Sequence, residues 1–215
     1  HSNYVGDVGI GINPALEKHV READVILALG TRLGEITTSG YSLLTPPQSK
    51  QELIHIYADP SEIGRVYHPT LAIVAQPGPV IKQLRDMAIS RAGGLWLSSA
   101  HEAYKIWQQP EETPGALKME QVITHLNNVL PDDAILTNGA GNYSAWLHRY
   151  YRYRNWRTQL APTSGSMGYG LPAAIAAKLQ SPDKEVVCLA GDGCFQMVSQ
   201  EFGTACDQGL AVIVI

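Results

Sequence analysis

Three cysteines, two phenylalanines and no long apolar run set the first limits on this chain of 215 residues. Cys188, Cys194 and Cys206 lie close together, but their spacing fits neither a zinc site nor a disulfide framework. Two of them sit in apolar or helical contexts, so a reduced, cytoplasmic setting is the simplest expectation. No apolar stretch approaches the roughly 20 residues that span a bilayer, and no membrane partner is expected. The opening His1-Ser2-Asn3-Tyr4 resembles neither a signal peptide nor a natural start. An excess of basic charge is missing too. The 16 Lys and Arg against 20 Asp and Glu leave a net charge of −4, which gives no global attraction to nucleic acid. The seven histidines show no metal-ligand spacing. Neither an internal repeat nor a low-complexity tract is present.

What remains is the composition of a well-buried α/β protein, with 45% hydrophobic and 17% charged residues. Asn13-Pro14 marks a helix start, Asn as the cap and Pro in the first turn. Asp24 to Gly30 is continuously apolar after its first residue, which predicts a buried parallel strand. Strands follow at Leu53–Tyr57 and Leu71–Val74, then a helix over Pro79–Met87 and another around Ala100–Trp107. The Pro-rich stretch Gln108 to Gly115 reads as a linker. Beyond it come a helix over Met119–Leu130, a strand at Ala134–Thr137, a helix over Leu171–Leu179, a strand at Glu185–Ala190, a helix near Ser199–Ala205 and a strand from Ala211. Alternating strands and helices argue for two parallel-sheet α/β domains, over 1–88 and 118–215, joined by a linker with a helix over 89–117.

Three glycine-rich segments of the second domain converge if its sheet is parallel. They are Asn138-Gly139-Ala140-Gly141-Asn142, Ser164-Gly165-Ser166-Met167-Gly168-Tyr169-Gly170 and Gly191-Asp192-Gly193. Each flanks a strand end or a helix start. One alone is a tight turn; three at one sheet edge suit a diphosphate, because glycines let backbone N–H groups approach phosphate closely. Asp192 adds a carboxylate for the hard cation that accompanies a diphosphate.

Gly191-Asp192-Gly193-Cys194-Phe195-Gln196-Met197, Gln200-Glu201-Phe202-Gly203-Thr204-Ala205 and Met167-Gly168-Tyr169-Gly170-Leu171-Pro172 carry a specific likeness. The second domain resembles the diphosphate-binding domain of thiamine diphosphate enzymes of the acetolactate synthase large subunit-like group. Residues Ala23 to Arg32 and His55 to Gly64 are similar to the family's central domain. The resemblance implies thiamine diphosphate and Mg²⁺ as cofactors, with Asp192 as a metal ligand. It implies that Gly191, Gly193 and Cys194 contact the diphosphate through their backbone, with Gly141 and Asn142 flanking the same phosphates. Gly165 and Met167 would meet the aminopyrimidine through their backbone, and the Met167 side chain would bend the cofactor. The implied reaction decarboxylates a 2-oxo acid and ligates the resulting enamine to a second carbonyl. The full-length protein would be a homodimer or homotetramer.

The chain also departs from the family. Cys194 stands where Ser or Ala is common, and Asn142-Tyr143 replaces Gln-His. The family's catalytic glutamate has no counterpart here, and an Asn-Asn pair supplying a second metal ligand would follow Ile215. The chain is therefore expected to be an interior piece of a longer protein, inactive alone. Two other functions stay open: decarboxylation without ligation, and a non-catalytic α/β module binding an adenine nucleotide. Arg32 is either an ion-pair partner or a contact to FAD or another adenine nucleotide; Asp59 is a strand-end turn or a ribose contact. Gly6, Gly9 and Gly11 follow no strand and are a weak dinucleotide signal. The Arg- and Tyr-rich run His148 to Arg157 is read as packed aromatics with solvated arginines, or as an anchor for an anionic substrate.

Overall fold

The computed structural model describes residues 1–87 and 94–215, and it divides into two compact units, His1–Trp107 and Gln108–Ile215. The expected boundary between residues 88 and 89 lies outside the described residues. Among the described residues, no helix is long and apolar enough to cross a membrane.

The first unit contains α1 (Pro14–Glu22), β1 (Val25–Leu29), β2 (Glu52–Tyr57), β3 (Leu71–Val74), α2 (Pro77–Asp86) and α3 (Gly94–Trp107). Asn13 caps α1 as expected: its side-chain oxygen accepts from the Ala15 N–H at 3.0 Å. The three strands are parallel in the order β1-β2-β3, with Leu27 opposite Ile54 and Ile54 opposite Leu71. Ala28 and Leu53 on one face pack with Leu44 and Tyr67 into a core. His55 is buried, and its Nε2 donates to the Thr31 carbonyl at 2.8 Å. The α3 helix packs on α1, where Asn13 donates to the Ala103 carbonyl and the His19 ring meets Trp96 edge-on at 4.8 Å.

Burial of β1 differs from expectation. Val25 and Leu27 are 51% and 48% exposed, and Leu71 and Ile73 are exposed on the same face. A continuous apolar run equips a strand to be covered on both faces. Ile56 on that face is buried all the same, and every residue of β3 is exposed.

The second unit begins with an irregular segment tied down by Thr113, whose N–H and hydroxyl both donate to the buried Glu120 carboxylate. Then come α4 (Met119–Val129), β4 (Ile135–Asn138), α5 (Ser144–Tyr150), β5 (Gln159–Leu160), α6 (Gly170–Gln180), β6 (Val186–Leu189), α7 (Asp192–Gln196), α8 (Gln200–Asp207) and β7 (Ile213–Val214). The α5, β5 and α7 elements are absent from the sequence reading. All three are short, and neither helix has a side-chain cap to announce it.

The four strands are parallel in the order β5-β4-β6-β7. Every residue of β4 and β6 is buried, in β6 as its continuous apolar run leads one to expect. Leu136, Val187 and Leu189 face Ile123 and Leu126 of α4 and Leu147 and Tyr150 of α5. Ile135, Val186 and Cys188 face Leu171, Ala174 and Ile175 of α6 and Ala205 of α8. Helices thus cover both faces. The polar residues at the end of β4 are bonded in turn. Thr137 donates to the Gly170 carbonyl at 2.8 Å, and the Asn138 amide donates to the Gly139 carbonyl at 2.8 Å.

The start of α6 lies directly on the end of β4. A methyl group on Gly170 would sit 2.9 Å from both the Asn138 carbonyl carbon and the Gly139 nitrogen. Both are backbone atoms that cannot swing aside. Gly170→Ala should therefore lower the unfolding temperature. The helix propensity gained, about 1 kcal/mol, is outweighed by overpacking of about 1–3 kcal/mol. Thermal unfolding followed by circular dichroism reads this; a raised unfolding temperature would show that α6 has slack over β4.

Candidate active site

The β4 and β6 strands run in register from Ile135 opposite Val186 to Asn138 opposite Leu189, so they leave the sheet at the same level. After β4 the chain turns toward β5 on one side; after β6 it turns toward β7 on the other. Such a switch point opens a crevice at the carboxyl edge of a parallel sheet, where α/β proteins bind their ligands. The loops that border it are 139–143 and 190–194.

All three glycine-rich segments meet here. The Cys194 thiol donates to the Ala140 carbonyl at 2.9 Å, joining the two strand-end loops. A methyl group on Gly193 would lie 3.1 Å from the Met167 Cε, so the third segment reaches over Gly-Asp-Gly. Gly168 is buried with φ 78°, a left-handed turn that suits glycine, and its α-carbon faces Val198. Gly170 closes the base against Gly139. The structure thus brings Gly141, Asn142, Met167, Gly191, Asp192, Gly193 and Cys194 to one sheet edge. Gly165, exposed with φ 69°, lies two residues before Met167 in the same loop.

The chemistry on offer is mostly backbone. Gly191 precedes the first turn of α7, where N–H groups have no intrahelical partner. Asp192 is exposed, with one carboxylate oxygen accepting from the Gly193 N–H at 2.8 Å. No cation pairs with Asp192 among the described residues, and no group of three His, Cys, Asp or Glu gathers to hold a metal. One free carboxylate beside a glycine nest is nevertheless the donor set that Mg²⁺ uses when it also bridges phosphate oxygens and keeps several waters. Half-exposed Met167 stands over Gly193.

Two side chains have structural work that the sequence reading does not assign. Cys194 is buried and ties loop to loop. Tyr143 lies against Gly139, Gly141 and Gly191, and its hydroxyl donates to the Cys194 sulfur at 3.5 Å. Burial pushes the Tyr143 phenol above its ordinary range, and the Cys194 bond adds to this. The signal was visible as the replacement of Gln-His by Asn142-Tyr143.

Other candidate residues resolve more simply. Asp59 accepts from the Ser61 N–H at 2.9 Å and its hydroxyl at 2.7 Å, which makes it a turn residue at the end of β2. Arg32 is exposed and makes no ion pair among the described residues. In the aromatic run, Tyr150 and Tyr151 are buried, and Tyr151 meets Tyr153 edge-on at 4.9 Å. Arg149 pairs with Glu111 at 2.8 Å and Arg154 with Asp132 at 3.4 Å. No strand precedes Gly6, Gly9 and Gly11.

The family model for the central domain of thiamine pyrophosphate enzymes matches residues 1–84, and the model for their C-terminal TPP binding domain matches residues 139–215. An acetolactate synthase large subunit of Mycobacterium tuberculosis is 31% identical over 100% of this chain and 36% of its own length. The mitochondrial acetolactate synthase catalytic subunit of Aspergillus candidus is 32% identical over 91% of the chain and 31% of its own length. An acetolactate synthase large subunit of Corynebacterium glutamicum is 30% identical over 99% of the chain and 35% of its length. The chain thus spans about a third of the length of these curated relatives. With two α/β units, each matched by its own domain of one family, the chain belongs to the thiamine pyrophosphate enzymes and is similar to acetolactate synthase large subunits.

Proposed function

We propose that this chain supplies the diphosphate- and Mg²⁺-binding part of an enzyme that decarboxylates a 2-oxo acid and ligates the remaining fragment to a second carbonyl. The observation that carries the reading is the meeting of three glycine-rich loops and one unpaired carboxylate at the β4/β6 switch point. When bound, thiamine diphosphate supplies the electron sink for carbon–carbon bond cleavage and formation. The protein's part is to bind and orient. Backbone groups of Gly141, Asn142, Gly191, Gly193 and Cys194 hold the diphosphate, and Asp192 holds the metal that offsets its charge. Gly165 and Met167 meet the pyrimidine through their backbone, and the Met167 side chain sets the bend between the rings. The acid–base glutamate of the family has no counterpart in the chain, so we propose that residues 1–215 alone do not turn over a 2-oxo acid.

A second reading concerns the first unit, which FAD or another adenine nucleotide would contact through Arg32. It is supported by Arg32 at the end of β1, which has no ion pair among the described residues and lines a narrow cleft with His55, Glu62 and Tyr67. His55 Nδ1 and the Tyr67 hydroxyl are buried there without a partner. Flavin absorbance retained by the purified full-length protein and lost in Arg32→Ala supports this reading; a colourless parent protein that no added flavin restores excludes FAD.

Asp192→Ala in the full-length protein should abolish Mg²⁺-dependent binding of thiamine diphosphate. Losing the one carboxylate of the nest leaves the diphosphate charge uncompensated. Titration calorimetry with unchanged affinity would remove Asp192 from the metal site.

Met167 acts by bulk, so its two truncations should differ. Met167→Leu keeps most of the turnover, whereas Met167→Ala loses turnover more than cofactor affinity, because orientation is what is lost. Steady-state rates and cofactor binding measured on both variants check this. Parental turnover in Met167→Ala would contradict the wedge role.

A further inference from the structure

Tyr143 is the one large side chain in the loop between β4 and α5. Its ring lies against glycines from both strand ends. A methyl group on Gly141 would sit 2.7 Å from the ring Cε1, one on Gly191 would sit 3.0 Å from the same atom, and one on Gly139 would sit 2.9 Å from the phenolic oxygen. The need for glycine at these three positions thus arises from the ring as much as from any phosphate. The hydroxyl donates to Cys194 Sγ at 3.5 Å, and the thiol passes the chain on to the Ala140 carbonyl at 2.9 Å. One side chain from the first loop therefore packs against glycines at the exits of both β4 and β6 and is bonded to Cys194 in the first turn of α7. Burial raises the phenol's pKa, so the group stays a neutral donor at ordinary pH.

We propose that Tyr143 is a positioning residue for the diphosphate: through the bond of its hydroxyl to Cys194, with its ring seated on the strand-end glycines, it holds the Gly141-Asn142 and Gly193-Cys194 backbones at the spacing the phosphates require. This rests on the diphosphate reading of the site. Tyr143 touches no phosphate in this account. It fixes two loops that would otherwise be joined only by the Cys194–Ala140 bond. The loops carry no cation of their own, so their affinity for the ligand depends on how well their N–H groups are pre-organised.

Tyr143→Phe keeps the ring and removes the bond to Cys194. In the full-length protein, thiamine diphosphate binding with Mg²⁺ is followed by tryptophan fluorescence, and inorganic pyrophosphate is used as a competitor. Tyr143→Phe should weaken both ligands by the same factor, about tenfold. The half-saturating cofactor concentration should rise by that factor, while the rate at saturating cofactor falls less than about twofold. Cys194→Ala should weaken binding less. The double variant should be no weaker than Tyr143→Phe, because both changes break one network. Unchanged affinities in Tyr143→Phe overturn the proposal, as does a lowered unfolding temperature with unchanged affinities. Losses that multiply fully in the double variant overturn it too. A parent protein that binds neither thiamine diphosphate nor pyrophosphate overturns the diphosphate reading itself, an outcome distinct from a parent that binds and a variant that binds equally well.

Discussion

The parallel pairing of β4 with β6 is the constraint on which the site depends. Asn138 stands opposite Leu189, so two glycine-bearing loops leave the sheet side by side. Their connections diverge toward β5 and β7, and the Tyr143 ring lies between the two loops. The pairing is held from both faces, by Leu136, Val187 and Leu189 against α4 and α5 and by Val186 and Cys188 against α6 and α8. Fully burying side chains of this size contributes about 1.5–3 kcal/mol each. A core of that kind can hold an edge made mostly of backbone, whose own contacts are few. Gly170 then brings the third loop down onto the same edge at van der Waals limits.

A site built from backbone has its own tolerance rules. Side chains can change where only a backbone N–H is used, and Cys194 stands in place of the family's Ser or Ala. Here the replacement takes on work of its own, since the thiol donates to Ala140 and accepts from Tyr143. Glycines tolerate far less. An added methyl group meets Tyr143 at Gly139, Gly141 and Gly191, and meets backbone at Gly170. Asp192 is the exception, a side chain whose exposed carboxylate is free of any cation partner among the described residues. The first unit is organised differently. Its sheet leaves Val25, Leu27 and all of β3 exposed, while His55 and Thr31 fix the exit of β1 by a single bond.

Much of this was legible in the sequence, for identifiable reasons. The Asn13 cap, the buried runs of β4 and β6 and the Gly-Asp-Gly turn are local signals whose physics involves few residues. The parallel arrangement follows from alternation of strands and helices, and the meeting of the glycine-rich loops follows from parallelism. What was not legible depends on distant partners. In α5, Leu147 and Tyr150 repeat at helical spacing, but seven residues without a side-chain cap and with adjacent arginines and tyrosines look like a loop. The two residues of β5 are a strand only because Leu136 and Thr137 lie beside them. The exposure of Val25 and Leu27 was hidden because an apolar run reports what a strand is suited to, and not what covers it. Tyr143 stood out as a departure from the family, yet only the folded chain shows its ring among three glycines.

The most direct test is a crystal structure of the full-length protein with thiamine diphosphate and Mg²⁺. The account predicts the diphosphate between the 139–143 and 190–194 loops, metal density on the Asp192 carboxylate, and the Met167 side chain between the two rings. Diphosphate density elsewhere on the protein, or a metal with Asp192 outside its coordination shell, would contradict it.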